Sequence, residues 1–296
     1  MATGSMSTSN PGKLFFPESG LTKQHVVEYY QAVAETMVTH LRGRPLMLRR
    51  YPDGIQHEGW FQKAASPHFP DWLRIETVPV HGTGSPVHHV VCDSPETLLY
   101  LANQATVEFH VWLSKVGALE NPDRLVIDLD PPRGTAISVL RRAARQVRDR
   151  LRALGLPAFV QATGGRGFHV VAPLDERSGY GQVRELAAGI ADGLAASEPD
   201  RLTTEHRKEN RGHRIYLDVN RNAYAQTFIA PYSLRARPGA PVATPLDWGE
   251  LGRATPNGWA PTAMRSRLAR KTDPWSSIGA VPGSVKRAAE LFQGTE

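Results

Sequence analysis

The sequence predicts one compact α/β domain with two lobes, and three observations carry that prediction. Arg124-Leu-Val-Ile-Asp-Leu-Asp130 is an apolar strand stopped by Pro131-Pro132. Residues 136–154 form an arginine-rich amphipathic helix with Ile137, Leu140, Ala144, Val147 and Leu151 on its inner face. The 296 residues, ample for a substantial core, show neither an internal repeat nor a flexible linker.

The other elements follow in order. Thr22 caps a helix to about Leu41, because Val26, Tyr30, Val33, Met37 and Leu41 recur at helical spacing. Arg42-Gly43-Arg44-Pro45 ends it, residues 46–51 read as a strand, and Pro52-Asp53-Gly54 as a turn. Short strands and loops rich in His and Pro fill 61–95, and 94–105 reads as a short helix. Strands at 156–163 and 168–173 flank Gly164-Gly165-Arg166-Gly167, a hairpin signal. A second amphipathic helix is expected at 182–196, a basic loop at 201–214, a strand at 214–219, proline-rich irregular chain at 231–261 and a last helix at 285–292. Met1–Met6 reads as a tag; disorder is expected over 1–9 and the folded domain over 10–296.

Composition narrows the function classes. No apolar run approaches the ~20 residues that a membrane-spanning helix needs, and no secretory apolar segment is present. Cys92 is the single cysteine, so an internal disulfide and a cysteine zinc cluster are excluded, which fits a reducing cytosol. A net charge of +6 favours a polyanionic partner, although many basic enzymes bind no nucleic acid. No Walker A loop, dinucleotide fingerprint or zinc-hydrolase motif occurs.

The carboxylates carry the sharpest chemistry. Side chains alternate along a strand, so Asp128 and Asp130 share one face while Leu125, Ile127 and Leu129 share the other. In Ile215-Tyr-Leu217-Asp218-Val219 the acid again points away from the apolar set. Should the two strands be neighbours, three carboxylates converge, and their mutual repulsion favours divalent cations. Two metals ~3.5–4 Å apart suit an in-line phosphoryl displacement, and hard oxygen ligands suit manganese or magnesium. Asp-x-Asp also recurs by chance about once in a chain this long, and Asp before Pro-Pro is often a plain turn former.

Thr163-Gly-Gly-Arg166-Gly-Phe-His169 gathers a hydroxyl, a guanidinium and an imidazole around a glycine-rich turn that phosphate oxygens could approach. The same residues also make an ordinary hairpin turn. Arg49, Arg50, His110, Arg235 and Arg237 are further candidates, each open to a structural or solvated reading. Lys13-Leu-Phe-Phe16 and Trp60-Phe61-Gln-Lys63 pair bases with aromatics, as nucleic-acid contacts do and as a core aromatic beside a surface lysine also does.

Taken together, several motifs in order resemble one family. They are Asn10-Pro-Gly-Lys13-Leu-Phe-Phe-Pro17, Gly20-Leu-Thr-Lys23, Arg44-Pro45, Glu108-Phe-His110-Val-Trp112, Val126-Ile-Asp128-Leu-Asp130-Pro-Pro132, Thr163 to His169, Leu217-Asp218-Val-Asn-Arg-Asn222, and Ala230-Pro-Tyr-Ser-Leu-Arg235-Ala-Arg237. The chain resembles the polymerase domain of bacterial ligase D and the stand-alone primase-polymerases associated with ligase C, within the archaeo-eukaryotic primase superfamily. The resemblance covers about 10–251. It implies a two-lobed primase-polymerase fold with central, mostly antiparallel sheets flanked by helices.

The resemblance also implies roles. Asp128, Asp130 and Asp218 would be the catalytic, metal-binding triad for two manganese or magnesium ions. Asn10, Arg49, His110, Thr163, Arg166, His169 and Arg235 would surround the incoming ribo- or deoxynucleoside triphosphate. Lys13 and Lys23 would bind the downstream 5′-phosphate of a gap or break, and Trp60 and Phe61 the template or duplex. The family commonly has Ser where this chain has Thr163, and Lys at Arg166 and Arg49. The implied activity is template-directed filling of short gaps in end joining or excision repair, with frequent ribonucleotide use. The implied protein is a monomer in the bacterial cytoplasm at the nucleoid, with gapped or broken DNA, a separate ATP-dependent DNA ligase and Ku as partners. Nothing in the chain resembles a ligase or nuclease domain. A metal-dependent nuclease using the same triad and a non-catalytic DNA-end-binding module are the rival readings.

Overall fold

A computed structural model describes residues 7–82 and 84–294. The chain forms two compact units, the first from the residues up to Trp112 with 229–243 and 259–271, the second from 113–228, 244–258 and 272–296. The tag expected at Met1–Met6 lies outside the described residues. Ser7 and Ser9 are held by Asn103, whose Nδ2 donates to the Ser7 carbonyl and whose Oδ1 accepts from Ser9 N at 3.0 Å.

In the first unit the chain runs β1 (Leu14–Phe16), β2 (Leu21–Thr22), α1 (Lys23–Leu41), β3 (Leu46–Arg50), β4 (Trp60–Gln62), β5 (Ile75–Val78), β6 (Val87–Val90), α2 (Pro95–Asn103) and β7 (Thr106–Trp112). The second unit holds β8 (Arg124–Asp130), α3 (Ile137–Ala153), β9 (Phe159–Ala162), β10 (Phe168–Pro173), α4 (Tyr180–Ser197), β11 (Leu202–Thr203) and β12 (Ile215–Asp218). Later come β13 (Thr227–Ile229), β14 (Thr244–Leu246), α5 (Pro261–Leu268) and α6 (Val285–Gln293).

Local chemistry sets these limits. The Thr22 hydroxyl accepts from His25 N while His25 Nδ1 accepts from Thr22 N at 3.0 Å, a reciprocal cap that starts α1. Val26, Tyr30, Val33, Met37 and Leu41 are all buried, as their spacing predicts. Tyr30 also donates its hydroxyl to the Val107 carbonyl at 2.6 Å, which ties α1 to β7. Ser94 caps α2, and Pro95 occupies its first turn, where a missing N–H costs nothing.

The first unit is built on a four-stranded sheet in the order β13-β7-β3-β4, and the second on a six-stranded sheet in the order β11-β12-β8-β10-β9-β14. In the second, β8 is flanked by antiparallel β12 and β10, which puts the predicted acidic strand near the sheet centre. Leu125, Ile127 and Leu129 are fully buried, as are Leu140, Ala143, Ala144, Val147 and Leu151 on α3. Each such Leu or Val contributes ~1.5–3 kcal/mol on burial. Ile137, expected on that inner face, is only half-buried at the first turn.

The arginines of α3 act largely as brackets within their own unit. Arg141 Nε donates to the Ala254 carbonyl at 3.0 Å, and Arg148 and Arg150 lie 4.9 and 5.1 Å from the rings of Trp248 and Phe292. Such pairs bury the guanidinium stem against an aromatic face.

Three segments differ from expectation. The loop expected at 201–214 begins with β11, which pairs parallel with β12 through Leu202↔Ile215. The proline-rich stretch contributes β14 at the edge of the six-stranded sheet, the position where a proline can be borne because one backbone edge needs no donor. It is followed by α5, which starts at Pro261 where the proline-rich stretch ends. The strand expected from residue 156 begins only at Phe159, after Pro157. Among the described residues, no helix is long and apolar enough to cross a membrane.

Candidate active site

In the second unit the register itself assembles the acidic cluster. Asp218 on β12 is the cross-strand partner of Asp128 on β8, and Asp128 is the partner of His169 on β10. Directly opposed residues share a face, and Asp130 joins it two residues along β8. Four predicted residues from three adjacent strands therefore line one side of the sheet.

Each carboxylate has its own donors. Asp128 Oδ2 lies 3.5 Å from His169 Nε2 and 4.0 Å from Arg221 Nε. Asp130 meets Arg166 at 3.3 Å and Arg211 at 3.7 Å. Asp218 Oδ1 accepts from Asn220 N at 2.9 Å, from Asn220 Nδ2 at 2.7 Å and from the Tyr216 hydroxyl at 3.4 Å. Among the described residues, the buried His169 Nδ1 has no hydrogen-bond partner.

Asp128, Asp130 and Asp218 share one sheet face, as expected once β12 lies beside β8, but their oxygens are not gathered around one point. Among the described residues, no group of three or more His, Cys, Asp or Glu side chains stands in a metal-holding arrangement. The reason lies in the partners just described: each acid turns to a guanidinium, an imidazole or an amide, which relieves the repulsion of three like charges. The donor set still fits a hard divalent cation, because it consists of carboxylate oxygens on one face of a rigid sheet.

The turn beside this face behaves as both sequence readings allowed. Thr163 Oγ1 donates to the Gly167 carbonyl at 2.8 Å and accepts from Gly165 N at 3.1 Å, so the hydroxyl pins the hairpin. Arg166 is about half exposed and carried over Asp130. Gly167 is required on steric grounds, since a Cβ there would collide with the Leu129 carbonyl oxygen of β8.

The first unit gathers a second cluster around Glu108, 1% exposed on β7. Its Oε2 is 3.0 Å from His110 Nε2 and 3.7 Å from Arg49 NH1. Its Oε1 accepts from Arg235 Nε at 3.2 Å and from Ala236 N at 2.8 Å. Burial drives the Glu108 pKa up, but the His110 hydrogen bond, the Arg235 and His110 charges and the Ala236 N–H more than reverse this and hold it well below the usual glutamate range. Arg49 also lies 5.1 Å from the Phe61 ring, and Phe61 meets His110 edge-on at 5.7 Å.

Trp60 and Phe61 project to opposite faces because they are neighbours in one strand. Trp60 faces Arg50, 5.5 Å away, while Phe61 joins Arg49 and His110. The two expected phosphate lysines are close together, because β1 pairs with β2 and Lys23 N donates to the Lys13 carbonyl. Lys13 Nζ meets Asp53 at 2.6 Å, and buried Lys23 donates to Ser9 Oγ at 2.6 Å. Burial, then the charges of Lys13 and Arg50, lower the Lys23 pKa. Asn10 sits in the same turn at a φ of 50°, and Lys13 N donates to its carbonyl.

Glu108, Arg211 and Arg221 are drawn into the two clusters without a candidate role on sequence alone. Glu108 was legible in principle: it stands two residues from His110, so one strand face carries both. The others depend on loop paths that periodicity does not reveal.

An acidic row on one face of a sheet in a mixed α/β scaffold suits a metal-dependent phosphoryl-transfer enzyme. Comparison with known proteins gives the family: residues 22–275 match the model for the LigD primase-polymerase domain, and the chain belongs to that family. It is 34% identical over 276 residues to the multifunctional non-homologous end joining DNA repair protein LigD of Mycobacterium tuberculosis, covering 90% of this chain and 36% of that protein. It is 31% identical to the bifunctional non-homologous end joining protein LigD of Bacillus subtilis, over 95% of this chain and 45% of that protein. The chain thus spans about a third to a half of the length of these relatives. Its fold superposes on the polymerase domain of Mycobacterium tuberculosis ligase D in complex with DNA with a TM-score of 0.86 and 33% identity, over 94% of this chain and 99% of that one.

Proposed function

We propose that this chain is a template-directed DNA-repair polymerase that adds ribo- or deoxynucleotides to a DNA 3′-hydroxyl at short gaps or breaks. The observation that carries the reading is the row Asp218–Asp128–His169 on three adjacent strands, with Asp130 beside it. A sheet holds such a row with little freedom, and phosphoryl transfer draws most of its rate from positioning and electrostatics.

Asp128, Asp130 and Asp218 would hold a pair of divalent cations, manganese or magnesium, which when bound supply charge neutralisation and an acidified primer hydroxyl. Arg166 and His169 orient triphosphate oxygens. Arg49, His110 and Arg235 would supply cationic and hydrogen-bonding contacts to a nucleotide. Thr163 shapes the turn beneath the nucleotide, and Asn10 serves the sugar. Lys13 and Lys23 take the downstream 5′-phosphate, and Trp60 and Phe61 contact template or duplex. A separate ATP-dependent ligase would seal the product, with Ku a further partner at breaks. The end-joining role in the relatives' names supports a repair setting for this chain.

The test is primer extension on a gapped duplex, comparing 5′-phosphate with 5′-hydroxyl, ribo- with deoxynucleotides, and manganese with magnesium. Template-coded addition that requires a divalent cation is expected. Cleavage of the DNA without added nucleotide, in place of extension, would move the assignment to a nuclease.

A further inference from the structure

Glu108 has no part in the roles above, yet it is a buried charge of the first unit with several charged partners. One carboxylate group, 1% exposed, touches Arg49, His110 and Arg235. Those three come from β3, β7 and the segment after β13, which sequence separates by up to 186 positions. Arg49 and Glu108 are cross-strand partners, so the contact is built into the sheet register. The Ala236 N–H fixes Oε1 from the backbone, so the acid is a rigid reference point for the mobile ends of its partners.

We propose that Glu108 is a positioning residue that prearranges Arg49, His110 and Arg235 for a nucleoside triphosphate. The proposal rests on the function inferred above.

Two effects of the acid oppose each other. Its negative charge weakens the attraction of the cluster for a triphosphate. Its hydrogen bonds to Arg235 and His110 and its ion pair with Arg49 hold two guanidinium groups and an imidazole together, although the guanidinium groups repel each other. Without the acid, Arg49 and Arg235 separate and long side chains regain their rotamer freedom. Arg235 is bound through Nε, which sets the plane of the whole fork, and a bidentate group depends on that plane. His110 is bound through Nε2, which fixes its ring. The positioning effect is the larger one here, because three partners gain orientation from one buried anchor.

The sign of the outcome therefore decides. Gap filling with the intact protein is measured for wild type, Glu108→Gln, Glu108→Asp, Arg235→Ala and the Glu108→Gln/Arg235→Ala double variant, below each melting temperature. Binding of the same triphosphate is titrated directly without DNA. Glu108→Gln is expected to raise the triphosphate KM about tenfold, the size of one charge-assisted hydrogen bond. Its kcat and gapped-DNA affinity should stay within about twofold. The double variant should lose less than the product of the two single losses, because Arg235 acts through the position that Glu108 gives it. Glu108→Asp keeps the charge but withdraws it by one methylene, and should raise KM as well, which decides the matter if Glu108→Gln does not fold.

An unchanged or lower KM in the variants overturns the proposal, since a charge-only role makes binding tighter. Parallel loss of kcat, KM and DNA affinity overturns it too, as that marks a merely structural acid. Should wild type incorporate nothing, the functional reading fails, while the direct titration still judges Glu108.

Discussion

Asp128 stands at the middle of the acidic row, with a cross-strand partner on each side. Asp128→Ala removes the central carboxylate but leaves β8 paired with both neighbours through its backbone. Synthesis should fall by at least ~10³-fold, the scale of losing a main electrostatic group in a preorganised site, while gapped-DNA affinity changes little. Extension at the wild-type rate would strip the row of its catalytic role. At Glu108 the sign of the pH dependence follows from the lowered pKa. An acid with a folded-state pKa below its unfolded value adds stability above the unfolded value and loses it as pH falls toward the folded one. The stability lead of wild type over Glu108→Gln should therefore be full at pH 7 and shrink below about pH 4.3, the ordinary glutamate value. Urea unfolding of both proteins from pH 7 to 3 reads this, and a lead that grows on acidification would contradict the pairing.

At the scale of elements, β8 depends on a side chain that stands in for a strand. β12 covers β8 only from Asp130 to Asp128. Beyond it, Asn222 Oδ1 accepts from Val126 N at 2.8 Å and Asn222 Nδ2 donates to the Val126 carbonyl at 2.7 Å. Asn222→Ala leaves two buried backbone groups without these partners and should destabilise the protein by about 2–5 kcal/mol, with each such group worth ~1–3 kcal/mol. Gly167→Ala pushes a methyl into the Leu129 carbonyl and should cost ~1–3 kcal/mol as overpacking. Chemical denaturation measures both, and a shift under 0.5 kcal/mol, roughly the range of a neutral surface change, would refute the structural account. Here the reach of the sequence is visible. The acids of β8 and β12 were readable as same-face groups from alternation alone, and α1 from its apolar spacing and cap. That β12 lies beside β8 does not follow from either segment, since adjacency is a long-range property. β11 and β14 escaped because two- and three-residue strands carry no usable period, and β14 includes Pro245. Glu108 escaped as a site residue because its partners Arg49 and Arg235 meet it only in the fold.

The whole chain carries a net charge of +6, and its lysines Lys13 and Lys23 meet at one strand pair. Lys23 is buried, and both the neighbouring Lys13 and Arg50 make its charge harder to keep. On the proposed function, a 5′-phosphate docked there would relieve that strain, because a nearby dianion favours the charged form of Lys23. Lys13 must leave or share Asp53 to reach such an anion, so a small part of the gain is offset by the loss of a solvent-screened surface ion pair. The balance favours phosphate. Lys13→Ala combined with Lys23→Ala should then equalise affinity for gaps bearing 5′-phosphate and 5′-hydroxyl. It should also lower the slope of log affinity against log salt by about one unit per lost contact. Fluorescence anisotropy across a salt series gives both quantities from one titration. Undiminished discrimination for phosphate in the double variant, with the slope unaltered, would place the phosphate contact elsewhere on the molecule.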